Sequence, residues 1–355
     1  MSIGVFSPAP PPLTGQSAYH AYLRALLLPE GGYFFRIGAR RPGGGPASYT
    51  RKLVDVLGLL WDVFARPRFR CYIVVLDAGL GLALNMLMVI AARLRGGRIF
   101  LSHHSFAYID RENALMRLLQ WASGSDRCNL YLCDEMRRRF EERYGRSAHF
   151  VLSNARRVQM EDPGGEHAAS EHLILGYISN VSFEKGIREF VRLVERANAD
   201  GVSIRGVIAG PTFERNVEVF LRESVEASQG SLEWIGPVYG AEKRAFFSRI
   251  SLLAFPTSYA NEAQPNVIFE ALASGVPVLS IARGCIAEDL AEAGCYVAPN
   301  AQTFVQGALD YLRPLSLESG RERLIELSSQ ARRHFEALVA QARAAETMLI
   351  EELRG

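Results

Sequence analysis

The chain has 355 residues, 48% hydrophobic and 22% charged, which excludes a disordered or fibrous protein and predicts two globular domains of roughly 150 to 200 residues. Its formal net charge of +2 is unevenly spread, with 20 Lys+Arg against 11 Asp+Glu in residues 1–150 and 20 against 27 in residues 151–355. A basic first half suits either an anionic lipid or phosphate-bearing acceptor or a solvated face, and no basic run interleaved with aromatics marks a reader of nucleic acid.

The chain opens MSIGVFSPAPPPLTG, without a basic stretch followed by a long apolar core, so no secretory signal is read and a cytoplasmic location is expected. Short apolar runs then alternate with longer helical patterns, which predicts α/β units on parallel sheets. Ile3 to Phe6 is the first such run, followed by the turn-rich SPAPPPLTGQS and a helix through Tyr19, Tyr22, Leu23, Leu26 and Leu27. Further strands are expected at Cys71 to Leu76, Arg98 to Leu101 and Asn129 to Leu132. The longest apolar region, Leu76 to Leu94, contains Asp77 and Asn85 and ends in arginines, so it reads as a buried helix rather than a membrane span. The five cysteines are odd in number and lack a C-x-x-C spacing, which points to a reducing compartment and not to a zinc site.

Phe150 to Leu152 closes the first domain, and SNARRVQMEDPGGEHAASEH reads as a polar link. Leu173 to Ile178, Ile204 to Ala209, Leu232 to Ile235 and Leu252 to Phe255 mark four strands of a second sheet. Between Phe255 and Ser280 the chain reads PTSYANEAQPNVIFEALASGVPVLS: a loop, a helix that Pro265 can open, a stop at Gly275 and a strand through Val276-Pro277-Val278-Leu279. Glu262 falls in the loop and Glu270 on the helix. Such a helix start offers N–H groups and partial positive charge to an anion beyond the carboxyl ends of the strands. The last stretch, Glu322 to Leu353, reads as one or two helices.

The segment E-AQPNVIF-E-ALASGVP resembles the donor motif of the retaining GT-B glycosyltransferases of family 4, two glutamates eight apart followed by small residues and Gly-x-Pro. The resemblance implies two doubly wound Rossmann-like domains facing across a cleft. The first domain would span 1–155, with a C-terminal helix at about 336–355 packing back on it, and a donor domain would span 156–335. It further implies that Glu262 contacts the donor sugar and nearby backbone amides, that Glu270 accepts from the ribose hydroxyls, and that Pro265 and Asn266 open the helix beside the diphosphate.

Only three lysines, Lys52, Lys185 and Lys243, stand among 40 basic residues. Lys185 lies in SNVSFEKGI, at a helix start where a cation is unfavourable unless it faces an anion; in the resembling family a basic residue of this Lys-Gly pair binds the donor phosphate. The family's Gly-Arg pair at the end of the preceding strand is absent, since Gly176 is followed by Tyr177; Ser179 and Asn180 are candidates to donate hydrogen bonds instead, and an arginine elsewhere in the chain is the other candidate replacement. His103 and His104, in LSHHSFAYID, resemble the family's histidine-bearing acceptor loop and suit proton relay or hydroxyl binding. Gly15 and Gln16 stand where the family has a Gly-Gly pair, while Gly210 and the Pro237-Val238 turn are candidates to line the nucleobase pocket by backbone contacts.

No G-x-G-x-x-G, P-loop, G-x-S-x-G or metal-ligand spacing is present, which counts against a classical dehydrogenase, P-loop enzyme, hydrolase or zinc enzyme. No metal or other cofactor is expected. The resemblance implies a retaining, metal-independent transfer of a sugar from a UDP- or GDP-linked donor to a glycan or lipid-linked hydroxyl, with His103, His104, Glu262 and Lys185 in catalytic roles. Peripheral contact with an anionic membrane fits the basic first half. Two alternatives stay open: a catalytically inactive nucleotide-sugar-binding peripheral membrane protein, motivated by the missing cation, and a GT-B sugar-nucleotide epimerase.

Overall fold

The computed structural model describes residues 3–9, 15–38, 46–158, 173–317 and 319–355. The chain divides into two compact units, Met1–Leu152 with Arg343–Gly355, and Ser153–Ala342. Among the described residues the first unit holds β1 (Ile3–Ala9), β2 (Gly32–Gly38), β3 (Cys71–Val75), β4 (Arg98–Ser102), β5 (Cys128–Tyr131) and β6 (Ala148–Val151). They form one parallel sheet in the order β2-β1-β3-β4-β5-β6. Every residue of β3 and β5 is buried, as expected for strands covered on both faces; all are apolar but Asn129 in β5.

The second unit holds β7 (Leu173–Ile178), β8 (Ile204–Ala209), β9 (Leu232–Gly236), β10 (Leu252–Phe255), β11 (Val278–Ile281) and β12 (Tyr296–Ala298). Their order is β12-β11-β10-β7-β8-β9, again all parallel. One core under this sheet gathers Leu175, Phe190, Ile208 and Phe304, and the other gathers Ala209, Phe255, Phe269 and Phe335. Each such buried Leu, Ile or Phe side chain contributes about 1.5–3 kcal/mol.

The final helix, Gly320–Arg354, is a single 35-residue element. Its residues up to Ala342 belong to the second unit, where Ala331 and Phe335 are fully buried, and those from Arg343 belong to the first. There Leu349 and Leu353 join the core of β1 and β3, Tyr22 donates to the buried Glu346, and Arg354 pairs with Glu30 at 2.6 Å. The helix over the longest apolar region begins only at Gly81. It is not buried all round as expected: Leu87, Ile90 and Leu94 face solvent. No described helix is long and apolar enough to cross a membrane. Cys71, Cys128 and Cys295 are free thiols.

Candidate functional site

In the second sheet the chain starts at the centre, in β7, then builds outward to β8 and β9 on one side and to β10, β11 and β12 on the other. The loops leaving β7 and β10 therefore part at the carboxyl edge, and the crevice where strand order reverses is where doubly wound sheets bind ligands. Lys185 comes from the first of these loops and Glu262 from the second. Lys185 Nζ donates to Glu262 Oε2 at 2.5 Å, with the Tyr259 ring centroid 4.6 Å from the ammonium and Thr257 Oγ1 3.4 Å from the same oxygen. Their side chains are 21% and 10% exposed. Charges so far from bulk water are costly to separate, so each holds the other in place while a polar ligand can still reach both.

A backbone bond fixes the two loops to one another. The Ser258 N–H donates to the Glu184 carbonyl at 2.9 Å across the two loops, and from β7 the Tyr177 hydroxyl donates to the Lys185 carbonyl of the first loop at 3.2 Å. Gly186 caps the helix Ile187–Ala199 at φ +86°, and a Cβ there would stand 2.1 Å from the Pro256 carbonyl oxygen. Gly210, after β8, has φ +117°, and a Cβ on it would meet the Ser179 carbonyl oxygen at 1.8 Å. Close backbone approach accounts for both glycines before any ligand is considered. Gly210 N–H donates to the Gly236 carbonyl at 2.7 Å, which brings the β8 loop beside the turn of exposed Pro237 and half-buried Val238.

Glu270, on the helix Asn266–Ala273, accepts from Lys243 Nζ at 2.6 Å. Two of the three lysines thus pair with the two glutamates of the motif. Lys243 was not among the expected site residues, and its signal was the rarity of lysine itself. Pro265 stands just before the helix, at the capping position instead of inside the first turn, and Asn266 Oδ1 is buried without a hydrogen-bond partner. Ser179 Oγ donates to the Tyr177 hydroxyl at 2.9 Å, so its proton is already spent within the protein; Asn180 is exposed.

A polar network holds the Glu262 loop from beneath. Gln264 Nε2 donates to Asp289 Oδ1 at 2.8 Å and to Ser153 Oγ at 3.2 Å, while Gln264 Oε1 accepts from the Asn154 N–H at 2.7 Å. Burial pushes the Asp289 carboxyl well above the usual range, opposed by the Gln264 bond. Nothing in the motif reading pointed to either residue.

The histidines separate. His103 is fully buried, with Nε2 2.9 Å from Asn129 Oδ1 and Nδ1 3.1 Å from the Tyr108 hydroxyl, stacked against Tyr131. Its ring presents no exposed edge in this structure. His104 is half-buried, with Nε2 3.0 Å from Ser102 Oγ and its ring against Tyr19. Gly15 and Gln16 open the helix Gly15–Leu27; residues 10–14 of their loop, and the Gln16 side chain, lie outside the described residues. Among the described residues no group of three or more His, Cys, Asp or Glu is placed to hold a metal ion.

Burial lowers the His103 pKa from 6.5 to about 4, against the Asn129 hydrogen bond that raises it. Between those values the unfolded chain binds a proton that the folded chain does not, so stability falls as the pH drops through that window. The expected slope is up to about 1.4 kcal/mol per pH unit. Denaturant titrations of wild type and His103→Gln between pH 4 and 7 check this: the slope flattens in the variant, and equal slopes remove the assignment.

Residues 172–313 match the family described as glycosyl transferases group 1. A search of curated proteins gives no match. Among solved structures, Anabaena HepE in complex with UDP is 12% identical over 100% of both chains, at a TM-score of 0.68. Sucrose-phosphate synthase from Thermosynechococcus elongatus is 13% identical over 99% of this chain and 98% of its own, at 0.67. A glycosyltransferase from Rickettsia africae ESF-5 is 11% identical over 99% and 98%, at 0.69. At such identities the likeness carries the fold, which is GT-B as the motif implied.

Proposed function

From a chain that carries a glycosyl transferases group 1 domain within a GT-B fold, we propose a glycosyltransferase that moves a sugar from a nucleotide diphosphate to a hydroxyl, with retention at the anomeric carbon. The observation that carries the proposal is the meeting of Lys185 and Glu262 at the switch point of the second sheet. HepE structures hold UDP and UDP-glucose, which supports a UDP-linked donor here.

As the glycosidic C–O bond of the donor breaks, positive charge grows on the sugar and negative charge on the departing diphosphate. Lys185 then exchanges partners: its ammonium turns from Glu262 to the diphosphate, and Glu262 is released to accept from sugar hydroxyls. A protein charge supplied beside the departing group replaces solvent as its countercharge, which is the usual source of large rate effects. The N–H groups of the helix start at Asn266 add partial positive charge on the same side. Charge neutralisation in this reading rests on Lys185 and the helix start, without a metal. Glu270 takes the ribose hydroxyls, oriented by Lys243, while the backbone around Gly210, Pro237 and Val238 borders the base. His104 is the residue proposed to assist the acceptor hydroxyl, in the synthesis of a polysaccharide or glycolipid at the cytoplasmic side of a membrane.

A thermal-shift panel of UDP-, GDP-, ADP- and dTDP-sugars tests the donor site. A donor at 100 times its Kd adds about 2.7 kcal/mol of apparent stability. The expected result is a shift with one nucleotide class that shrinks in Glu270→Ala and in Lys243→Met. A wild type that shifts with none of them removes the donor assignment.

A further inference from the structure

The helix Gly81–Leu94 packs beside the helices Pro46–Ala65 and Ala114–Ala122. All three belong to crossovers that run in the same direction along the sheet, from β2 to β3, β3 to β4 and β4 to β5. Right-handed crossovers place such helices on one side of the sheet. The opposite side is covered by Gly15–Leu27 and the end of the final helix, which share the core of β1 and β3. The helix layer therefore has one inner face against the sheet and one outer face.

That outer face is apolar. On the middle helix the exposed positions are Leu80, just before it, then Ala83, Leu87, Ile90 and Leu94, spaced three and four apart as one continuous row. The inner row of the same helix, with Leu82, Met86 and Val89, is apolar too, so the helix lacks the charged outer stripe of an ordinary surface helix. The first neighbour exposes Leu57, Trp61 and Phe64, and the second exposes Leu118 and Trp121; both tryptophans are 78% exposed. Large apolar side chains exposed on three adjoining helices mark an interaction site.

The charge around the patch selects the occupant. Residues 46–127, which contain the three helices, carry 11 Lys+Arg against 6 Asp+Glu. Arg66 and Arg68 follow the first helix, Arg95 the second, and Arg111 and Arg117 flank or lie on the third; Arg66 pairs with Asp62 and Arg117 with Glu112, and Arg95 donates to the Arg66 carbonyl, so the rim carries a net positive charge smaller than its arginine count. A second copy docked on the same face would bring these like charges together. An anionic bilayer instead receives exposed Trp and Leu at the headgroup boundary while arginines reach phosphates around them. We propose that this face of the first unit is a docking surface for an anionic lipid bilayer. The proposal does not depend on the donor chemistry.

The test is sedimentation of the full chain with phosphatidylcholine vesicles, with and without phosphatidylglycerol, for wild type and for the Leu87→Ser/Ile90→Ser double variant, whose fold is checked by circular dichroism. Wild type partitions onto the anionic vesicles, and the variant does so about tenfold more weakly or less. Brominated lipid quenches tryptophan emission in wild type, and the quenching is lost in Trp61→Tyr/Trp121→Tyr. Equal partition of wild type onto both kinds of vesicle, or unchanged binding by the double variant, overturns the proposal. So does a concentration-dependent dimer abolished by the same substitutions without vesicle binding, which would assign the face to a second copy.

Discussion

Replacing Lys185 with methionine lowers turnover by on the order of 100-fold or more, the scale seen when one preorganised donor is removed from a developing anion. Methionine keeps the length and packing of the side chain and deletes the charge. Glu262→Gln keeps the shape of the other partner and lowers turnover to a similar degree, because it removes the carboxylate that receives the sugar hydroxyls. It also leaves the ammonium, 21% exposed in its side chain, without its countercharge. The two effects are not additive: the pair forms one 2.5 Å contact, so the double variant falls little further than either single one. Lys185→Arg does not restore the rate, since a planar fork does not substitute for a compact point charge between Tyr259 and Glu262. Steady-state assays that separate kcat from KM, with hydrogen-deuterium exchange to establish that the loops remain folded, check the set. Near-normal rates in both single variants remove the proposed roles.

Much of the second sheet was legible because β7, β8 and β10 are mostly buried apolar runs of strand length, broken in β8 only by exposed Arg205, and their ends fall where the runs end. The expected strand at Val276 starts two residues later, at Val278, because Pro277 cannot donate to the ladder. β2, β6 and β12 were not read. β12 has three residues, too few for a period to show, and β6 is exposed or half-buried throughout, so it has no apolar run. Strand order is a property of packing and has no local signature: nothing near Lys185 says that its loop will lie beside one 77 residues later. The same reason hid Lys243, which reaches Glu270 from another helix. For His103 and His104 the alternation of a strand continuing from β4 turns neighbouring side chains to opposite faces, and a doublet alone does not say which of them faces the core. The helix Gly81–Leu94 shows the opposite failure, since its hydrophobicity was plain but an apolar run cannot tell a buried face from a docking face.

Gly186→Ala destabilises the second unit by on the order of 3 kcal/mol, through two separate causes. An alanine in the left-handed region costs about 1–3 kcal/mol when the surrounding structure holds it there. Here φ is +86° and a Cβ would stand 2.1 Å from the Pro256 carbonyl oxygen, an approach backbone atoms do not tolerate, so one of the two loops has to move. The Pro256 side of that contact continues into Ser258, whose N–H holds the Glu184 carbonyl, and then into Thr257 and Glu262. A displacement large enough to admit the methyl group therefore separates Lys185 from Glu262, and donor binding falls together with stability. Gly201→Ala is the matched control: its φ is +79° and a Cβ there meets nothing within 4 Å, so it carries the backbone cost without the collision. Chemical denaturation of the two variants, read beside donor titrations, divides the causes. Gly186→Ala loses more stability than Gly201→Ala and alone weakens the donor; equal losses in both measurements show that the Pro256 contact contributes nothing.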